Sequence, residues 1–326
     1  MPAVDRAVVV VGSYVQDHAW LVDQFPVPGE TRRAHGFNTG PGGKGFNQAI
    51  ACHRQGVSTL FIGAIGADLL GGNAQRFATD EAMDCHWQVL EDVPTAASSI
   101  IVDASGQNQI TVSLAANEHL APEFLERHRD AFASARVLLL QMENNLDAIR
   151  AALQLGRAGG ALRVLNPAPV HPECDAPLLA LCDLITPNET EFALLLERIG
   201  AGKVDPARVA QLSDDALHAY CRKLGVPTVV ITLGRYGCFV SHADAAPLAG
   251  GEPRCYRIAR EAVDTIDTTG AGDAFSGALV AALVRLEGAA FRTVAEHANR
   301  CAALSTEIVG TAPAMPRFED VARRFG

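Results

Sequence analysis

Short β-branched or leucine-rich runs recur along this chain with longer helical patterns between them, and no other feature narrows the fold as much. The runs are Val8–Val11, Leu60–Ile62, Val137–Leu140, Leu162–Leu165, Leu184–Ile185 and Val229–Thr232. Helical patterns lie near 44–55, 71–82, 145–157, 207–223 and 271–286. Runs that are apolar at every position suit strands covered on both faces. Their alternation with helices implies a doubly wound α/β sandwich around a mainly parallel sheet. With no repeat or low-complexity linker in view, residues 1–326 read as a single α/β domain.

Two segments break the rhythm. Residues 13–40 are rich in aromatics and in Pro/Gly pairs such as Phe25-Pro26 and Pro28-Gly29. Between Ser98 and Leu114, Ser99–Val102 and Gln109–Val112 flank Asp103-Ala104-Ser105-Gly106, the pattern of a hairpin. The expectation is a small β-sheet lid built from insertions at about 13–40 and 95–115; an ordinary surface hairpin is the alternative.

Composition removes several function classes. A net charge of −10 leaves no basic footprint for nucleic acid. No apolar run reaches the roughly 18–20 residues of a membrane span. The chain passes from Met1 to Val8–Val11 without a basic leader or a cleavage site, as a first buried strand does. Eight scattered cysteines with no C-x-x-C pair fit reduced thiols in a cytoplasmic protein, and the ten histidines lack zinc spacing.

The chemistry-bearing stretch is Asp267-Thr268-Thr269-Gly270-Ala271-Gly272-Asp273, which runs straight into an apolar helix. Glycines at a helix mouth turn backbone N–H groups toward an anion, and the helix end adds partial positive charge. An acid there competes with that anion. Phosphoryl transfer resolves the conflict, because the N–H groups can hold the moving phosphate while the carboxylate takes the acceptor's proton.

Other motifs are weaker singly. Gly40-Pro41-Gly42-Gly43-Lys44-Gly45-Phe46-Asn47 contains G-x-G-x-x-G, yet it neither follows the first strand nor has an acid some 20 residues on, and the Ser/Thr of a P-loop is missing. It is a glycine turn presenting a lysine and an asparagine, or a plain helix start with a surface lysine. Asp17 and Glu143 each follow a strand, where ligands sit in open α/β sheets, and each also fits a turn. Asn166-Pro167-Ala168-Pro169 reads as a rigid crossover. Asn188 and Glu191 are spaced to organise Mg²⁺ beside phosphates, and equally to form a capping box. Thr232-Leu233-Gly234-Arg235-Tyr236-Gly237 either floors a nucleotide pocket or makes a hairpin.

Taken in this order, the glycine turn with Lys44 and Asn47, Asn166–Pro169, Thr186–Glu191, Thr232–Gly234 and Asp267–Asp273 resemble the PfkB carbohydrate-kinase family, its ribokinases most closely, over essentially the whole chain. The resemblance implies ATP-dependent phosphorylation of a hydroxyl on a small sugar such as ribose, and a lid that also forms a homodimer. By position, Asp273 would be the base and the N–H groups of Gly270, Ala271 and Gly272 the anion hole. Asp17, Gly43, Lys44, Asn47 and Glu143, with Asp273, would bind the sugar. Asn188, Thr232, Gly234, Gly237, Gly272 and Asn299 would contact the nucleotide, and Glu191 would organise Mg²⁺ through water. Asp267, Thr269, Ser305, Ile308, Gly310 and Ala314 match a site for a monovalent cation, K⁺, fed largely by backbone oxygens.

One departure bears on the acceptor. Ribokinases carry an asparagine two residues before the sugar-binding aspartate, and this chain has Val15. The expectation is an acceptor that lacks, inverts or substitutes the hydroxyl that the asparagine reads. A nucleoside kinase of the same fold stays open through Tyr14 and Phe46. A nicotinamide-dependent dehydrogenase and a catalytically silent binding protein fit the Gly270–Asp273 turn less well.

Overall fold

Four consecutive valines, Val8–Val11, are between 0% and 2% exposed and form a strand inside a nine-stranded sheet. The computed structural model describes residues 7–326. The six before them, with the Met1 start of the leaderless reading, lie outside the described residues. In chain order the strands are β1 (Val8–Val11), β2 (Val15–Leu21), β3 (Gly36–Gly42), β4 (Thr59–Gly66), β5 (Asp84–Leu90), β6 (Ala97–Val102) and β7 (Asn108–Ser113), then β8 (Val137–Leu140), β9 (Leu162–Leu165), β10 (Leu184–Ile185), β11 (Thr228–Thr232), β12 (Cys238–His242) and β13 (Cys255–Ile258). The large sheet runs β13-β12-β11-β10-β9-β8-β1-β4-β5. It is parallel from β11 to β5, and β12 and β13 join antiparallel at one edge.

Alternation along each strand divides the core into two layers. Val8, Val10 and Leu139 pack in one apolar cluster with Phe46, Phe61 and Phe275; Val9, Val11, Leu138 and Leu140 pack in the other with Ile62 and Phe192. Helices cover both faces, which is the doubly wound sandwich that the rhythm implied. Among the described residues no helix is long and apolar enough to cross a membrane. All eight cysteines are free thiols.

Three local readings need correction. The pattern at 207–223 is two helices, Pro206–Val209 and Asp214–Lys223, because Asp205 and Ser213 each cap a separate start. Gly40–Gly42 belong to β3, so the glycine turn shrinks to Gly43 (φ 88°), which ends the strand and starts the helix Lys44–Arg54. Strands β5 and β13 and the helix Phe291–Ser305 have no counterpart in the sequence reading, and β12 is the return strand of the hairpin that Thr232–Gly237 left open.

The helix Ala271–Arg285 packs on the helix Lys44–Arg54, and Gly277 makes that possible. A Cβ there would lie 2.4 Å from the Gln48 carbonyl oxygen and 2.6 Å from the Ala51 Cβ. Both helices begin at the carboxyl edge of the large sheet. Above that edge a second sheet of order β3-β2-β6-β7 holds the two segments that broke the rhythm. Within it β2 and β6 are parallel and the outer pairs antiparallel.

Candidate active site

Residues just past the carboxyl ends of β1, β8, β9 and β10 converge with the starts of the two packed helices, the expected ligand position in an open α/β sheet. Asp273, third in its helix, is 6% exposed. Its Oδ2 accepts from Asn47 Nδ2 at 2.9 Å and its Oδ1 from Gln48 Nε2 at 2.8 Å. The remaining polar atom of that asparagine, Asn47 Oδ1, is buried with no partner among the described residues. An unmet buried acceptor typically costs about 1–3 kcal/mol, so a donor such as a ligand hydroxyl would be favoured there.

Glu143 lies beyond β8 and is bound at one oxygen: Oε2 accepts from Ser13 Oγ at 2.6 Å and from the Lys44 N–H at 2.9 Å. Asp17, on β2, accepts from Ser98 Oγ at 2.6 Å through Oδ1 and from Thr311 Oγ1 at 3.3 Å through Oδ2. Its carboxylate fits only because residue 42 is glycine, since a Cβ at Gly42 would fall 2.0 Å from Oδ2. Ser98 and Thr311 bring a second strand of the small sheet and the loop after the last long helix to the same carboxylate.

Charge in the site is unbalanced. Burial lowers the proton affinity of the Lys44 ammonium, but the summed pull of Asp273, Glu143, Glu191 and Asp17 outweighs it and holds the group above its usual value. Burial raises Asp17, Glu143 and Glu191, in each case against hydrogen bonds that lower it, and the nearby Asp273 carboxylate raises each further. Four carboxylates thus share one ammonium. A polyphosphate could enter this field only with further positive charge or backbone donors.

On the other side of the Gly270–Asp273 turn lies a cleft of about 420 Å³. It brings together Asn188, Thr232, Gly234, Gly237, Gly272 and Asn299, residues that span over a hundred positions of sequence. Gly237 (φ 82°) closes the turn between β11 and β12, where a Cβ would lie 2.0 Å from the Ile258 carbonyl oxygen. That turn is both the hairpin and a wall of the cleft, so the two readings of it coexist. Asn188 and Glu191 form the capping box: Asn188 Oδ1 accepts from the Glu191 N–H at 2.9 Å, and Glu191 Oε2 from the Asn188 N–H at 2.8 Å. Asn299 Nδ2 donates to the Ala259 carbonyl at 2.9 Å.

At the helix mouth, Gly270 is left-handed (φ 79°) and serves as the N-cap without a side-chain bond. Of the three amides assigned to the anion hole, that of Ala271 already donates to the Thr268 carbonyl at 3.2 Å. Asp267 joins two loops, accepting from the Thr269 N–H at 2.9 Å and the Gly310 N–H at 3.0 Å. Ser305 ends the helix Phe291–Ser305 and donates to the Ala302 carbonyl, Ile308 is exposed and Ala314 buried, so the six cation candidates share no common side-chain surroundings. Among the described residues no group of three or more His, Cys, Asp or Glu is placed to hold a metal.

Sequence reasoning passed over Ser13, Gln48, Ser98, Gln141 and Thr311 and took Asn166 for a purely structural residue. A signal existed for Gln48: Asn47 and Gln48 are two amides side by side, flanked by Phe46 and the apolar run Ala49–Cys52 of the same buried helix face. Ser98 and Thr311 carry none, because their roles arise only from contacts 81 and 294 residues away.

A model of the pfkB family carbohydrate kinases matches residues 5–317. The ribokinase of Haemophilus influenzae is 33% identical over 316 residues, covering 97% of each chain. The structure of ribokinase from Giardia lamblia superposes with a TM-score of 0.87 at 25% identity, covering 98% of both chains. Arabidopsis thaliana ribokinase, solved in complex with ribose and ATP, does so with a TM-score of 0.81 at 26% identity and the same coverage.

Proposed function

The chain belongs to the pfkB family of carbohydrate kinases and is an ATP-dependent sugar kinase, and we propose that its acceptor is a hydroxyl of ribose or a close relative, deprotonated by Asp273. The observation that carries this reading is the pairing of Asp273 with Asn47, whose buried Oδ1 has no donor among the described residues, between the Asp17–Glu143 side and the Asn188–Asn299 cleft. A sugar between Asp17 and Glu143 would donate hydroxyl protons to both and to Asn47 Oδ1. The hydroxyl beside Asp273 gives its proton to that carboxylate as its oxygen bonds to the γ-phosphorus, and the bond from that phosphorus to ADP breaks.

Lys44 and the helix-mouth amides of Gly270 and Gly272 would face the moving phosphoryl group, where losing one donor in comparable sites costs about 2.7–4 kcal/mol. The four-to-one excess of carboxylates makes a divalent cation a natural companion of the nucleotide. Glu191 and Asn188 would hold Mg²⁺ through water, and the metal would neutralise phosphate charge. The Asp267 and Gly310 loops would hold K⁺ through carbonyl oxygens. Exposed Phe37, Ile110 and Val112 on the small sheet suit a lid that pairs with a second copy, and the eight free thiols suit a cytoplasmic setting.

Val15 lies two residues before Asp17 on β2, hence on the same face, and is 3% exposed. It offers no hydrogen bond, so an acceptor lacking one hydroxyl loses least at this position. An ADP-release assay over D-ribose, 2-deoxy-D-ribose, hexoses, sugar acids and nucleosides tests the reading. Turnover of a pentose is expected; turnover of nucleosides alone would replace it with a nucleoside kinase.

A further inference from the structure

Behind Asp273 lies a layer of buried amides. Gln141, just past β8, donates from Nε2 to Gln48 Oε1 at 2.7 Å. Gln48 Nε2 donates both to Asn166 Oδ1 at 2.9 Å and to Asp273 Oδ1 at 2.8 Å. Asn166, just past β9, donates from Nδ2 to the Thr186 carbonyl at 2.8 Å. Gln48 is fully buried, Gln141 is 1% exposed and Asn166 is 5% exposed. Thr186 also bonds through its hydroxyl to Ser276, one turn along the helix that carries Asp273, at 3.0 Å.

The backbone settles which end of each amide points where. A carbonyl only accepts, so Asn166 must turn its NH₂ to Thr186 and its oxygen to Gln48. Gln48 must then present its NH₂ to Asn166, and the same NH₂ meets Asp273. Its oxygen is left facing Gln141, which must answer with its own NH₂. The far oxygen, Gln141 Oε1, is buried without a partner among the described residues and crowds Gly12, where a Cβ would lie 2.2 Å away. Leaving that acceptor unmet is what the orientation of the chain requires. Gln48 therefore has a donor, and never an acceptor, facing Asp273.

We propose that Gln141, Asn166 and Gln48 are positioning residues that hold Asp273 Oδ1 as an acceptor and so fix the direction in which the carboxylate meets the sugar hydroxyl. The inference rests on the sugar-kinase reading. Lys44, Asp17, Glu143 and Glu191 also face Asp273, and substituting the amides leaves them in place. Without the Gln48 donor the carboxylate keeps only the Asn47 bond to set its rotation.

The test is steady-state kinetics of Gln48→Leu and Gln141→Leu on the best sugar of the panel, with thermal melts to confirm folding. Gln48→Leu should lower kcat about 10- to 100-fold with KM for sugar and ATP within about threefold, as a small misplacement of a reacting group does. A general loss of packing would instead raise KM together with the fall in kcat. Gln141→Leu should show the same split at smaller amplitude, and the double variant should be no worse than Gln48→Leu alone, because the residues act in series. A folded Gln48→Leu with wild-type kcat, or with its loss confined to KM, overturns the proposal while leaving the kinase reading standing. If Gln48→Leu does not fold, Gln141→Leu decides alone: its kcat falls with KM held, or the proposal fails. A wild-type protein that turns over no sugar overturns both.

Discussion

Thr311 and Asp17 are 294 residues apart in the chain, yet the threonine Oγ1 lies 3.3 Å from Asp17 Oδ2. The same hydroxyl is 3.1 Å from the Pro41 carbonyl. One hydroxyl hydrogen serves one acceptor fully at a time, so Asp17 and the Pro41 carbonyl share it, and the hydroxyl holds Asp17 in place beside β3. Thr311→Val removes both bonds and keeps the shape. A shared hydrogen bond is worth about 0.5–1.5 kcal/mol, so sugar affinity should fall about 2- to 12-fold with ATP affinity unchanged. Calorimetric titration measures both, and an unaltered sugar affinity would show that the bridge does not matter to binding.

Asp273→Ala should lower kcat about 10²- to 10⁴-fold. Asn47 and Gln48 lose an acceptor in that variant, but one buried carboxylate leaves the vicinity of three others, so the melting midpoint should hold. Turnover close to wild type would sink the assignment of Asp273 as the base.

Val15→Asn puts a hydrogen-bonding amide on the Asp17 face of β2. It should raise kcat/KM for D-ribose relative to 2-deoxy-D-ribose, by about tenfold if the new bond is worth about 1.4 kcal/mol. An unchanged ratio would mean that the Val15 side chain does not face the acceptor.

Glu191 gives a pH-dependent prediction. Burial raises it above the usual carboxylate range, so between that range and the raised value the native protein binds more protons than the unfolded chain. Its contribution to stability is whole below the usual range and is lost as pH rises through the raised value. Glu191→Gln keeps an acceptor for the Asn188 N–H and drops the charge. The variant should melt above wild type at neutral pH, and the gap should close as pH falls toward about 4. A gap that is constant across pH, or of opposite sign, would contradict the direction of the shift.

For the monovalent cation, turnover should be faster in K⁺ than in tetramethylammonium at equal ionic strength. Asp267→Asn should shrink that difference, since it removes the charge and turns an NH₂, which cannot accept, toward one of the two backbone N–H groups of Thr269 and Gly310. Equal rates in the two salts would remove the cation from the mechanism.

Much of this site was legible because its parts are local. Val8–Val11 or Val137–Leu140 can only be buried strands, and a glycine before a lysine or an aspartate at a helix start marks a backbone donor site wherever the helix packs. Six nucleotide-side candidates chosen by motif line one cleft. What stayed hidden depends on tertiary neighbours. Strand β5, with Asp84, His86 and Gln88 in it, is a sheet edge and has no continuous apolar run to announce it. Asp205 and Ser213 split one helical pattern into two, because a cap outweighs periodicity over a few residues. Gln141 and Asn166 look like loop residues until the ends of β8 and β9 are placed side by side.

The close approach at Gly277 separates two kinds of evolutionary change. Asp273, Asn47 and Gln48 ride on helices pressed together where no side chain intervenes, so the reacting group is mounted on a stiff base that has little room to drift. Asp17, Val15 and Ser98 belong to the small sheet, which touches that base through a few hydroxyls and glycines. Exchanges in the small sheet can therefore change which molecule is accepted while the reacting machinery stays as it is. A lineage built this way can try new acceptors one side chain at a time.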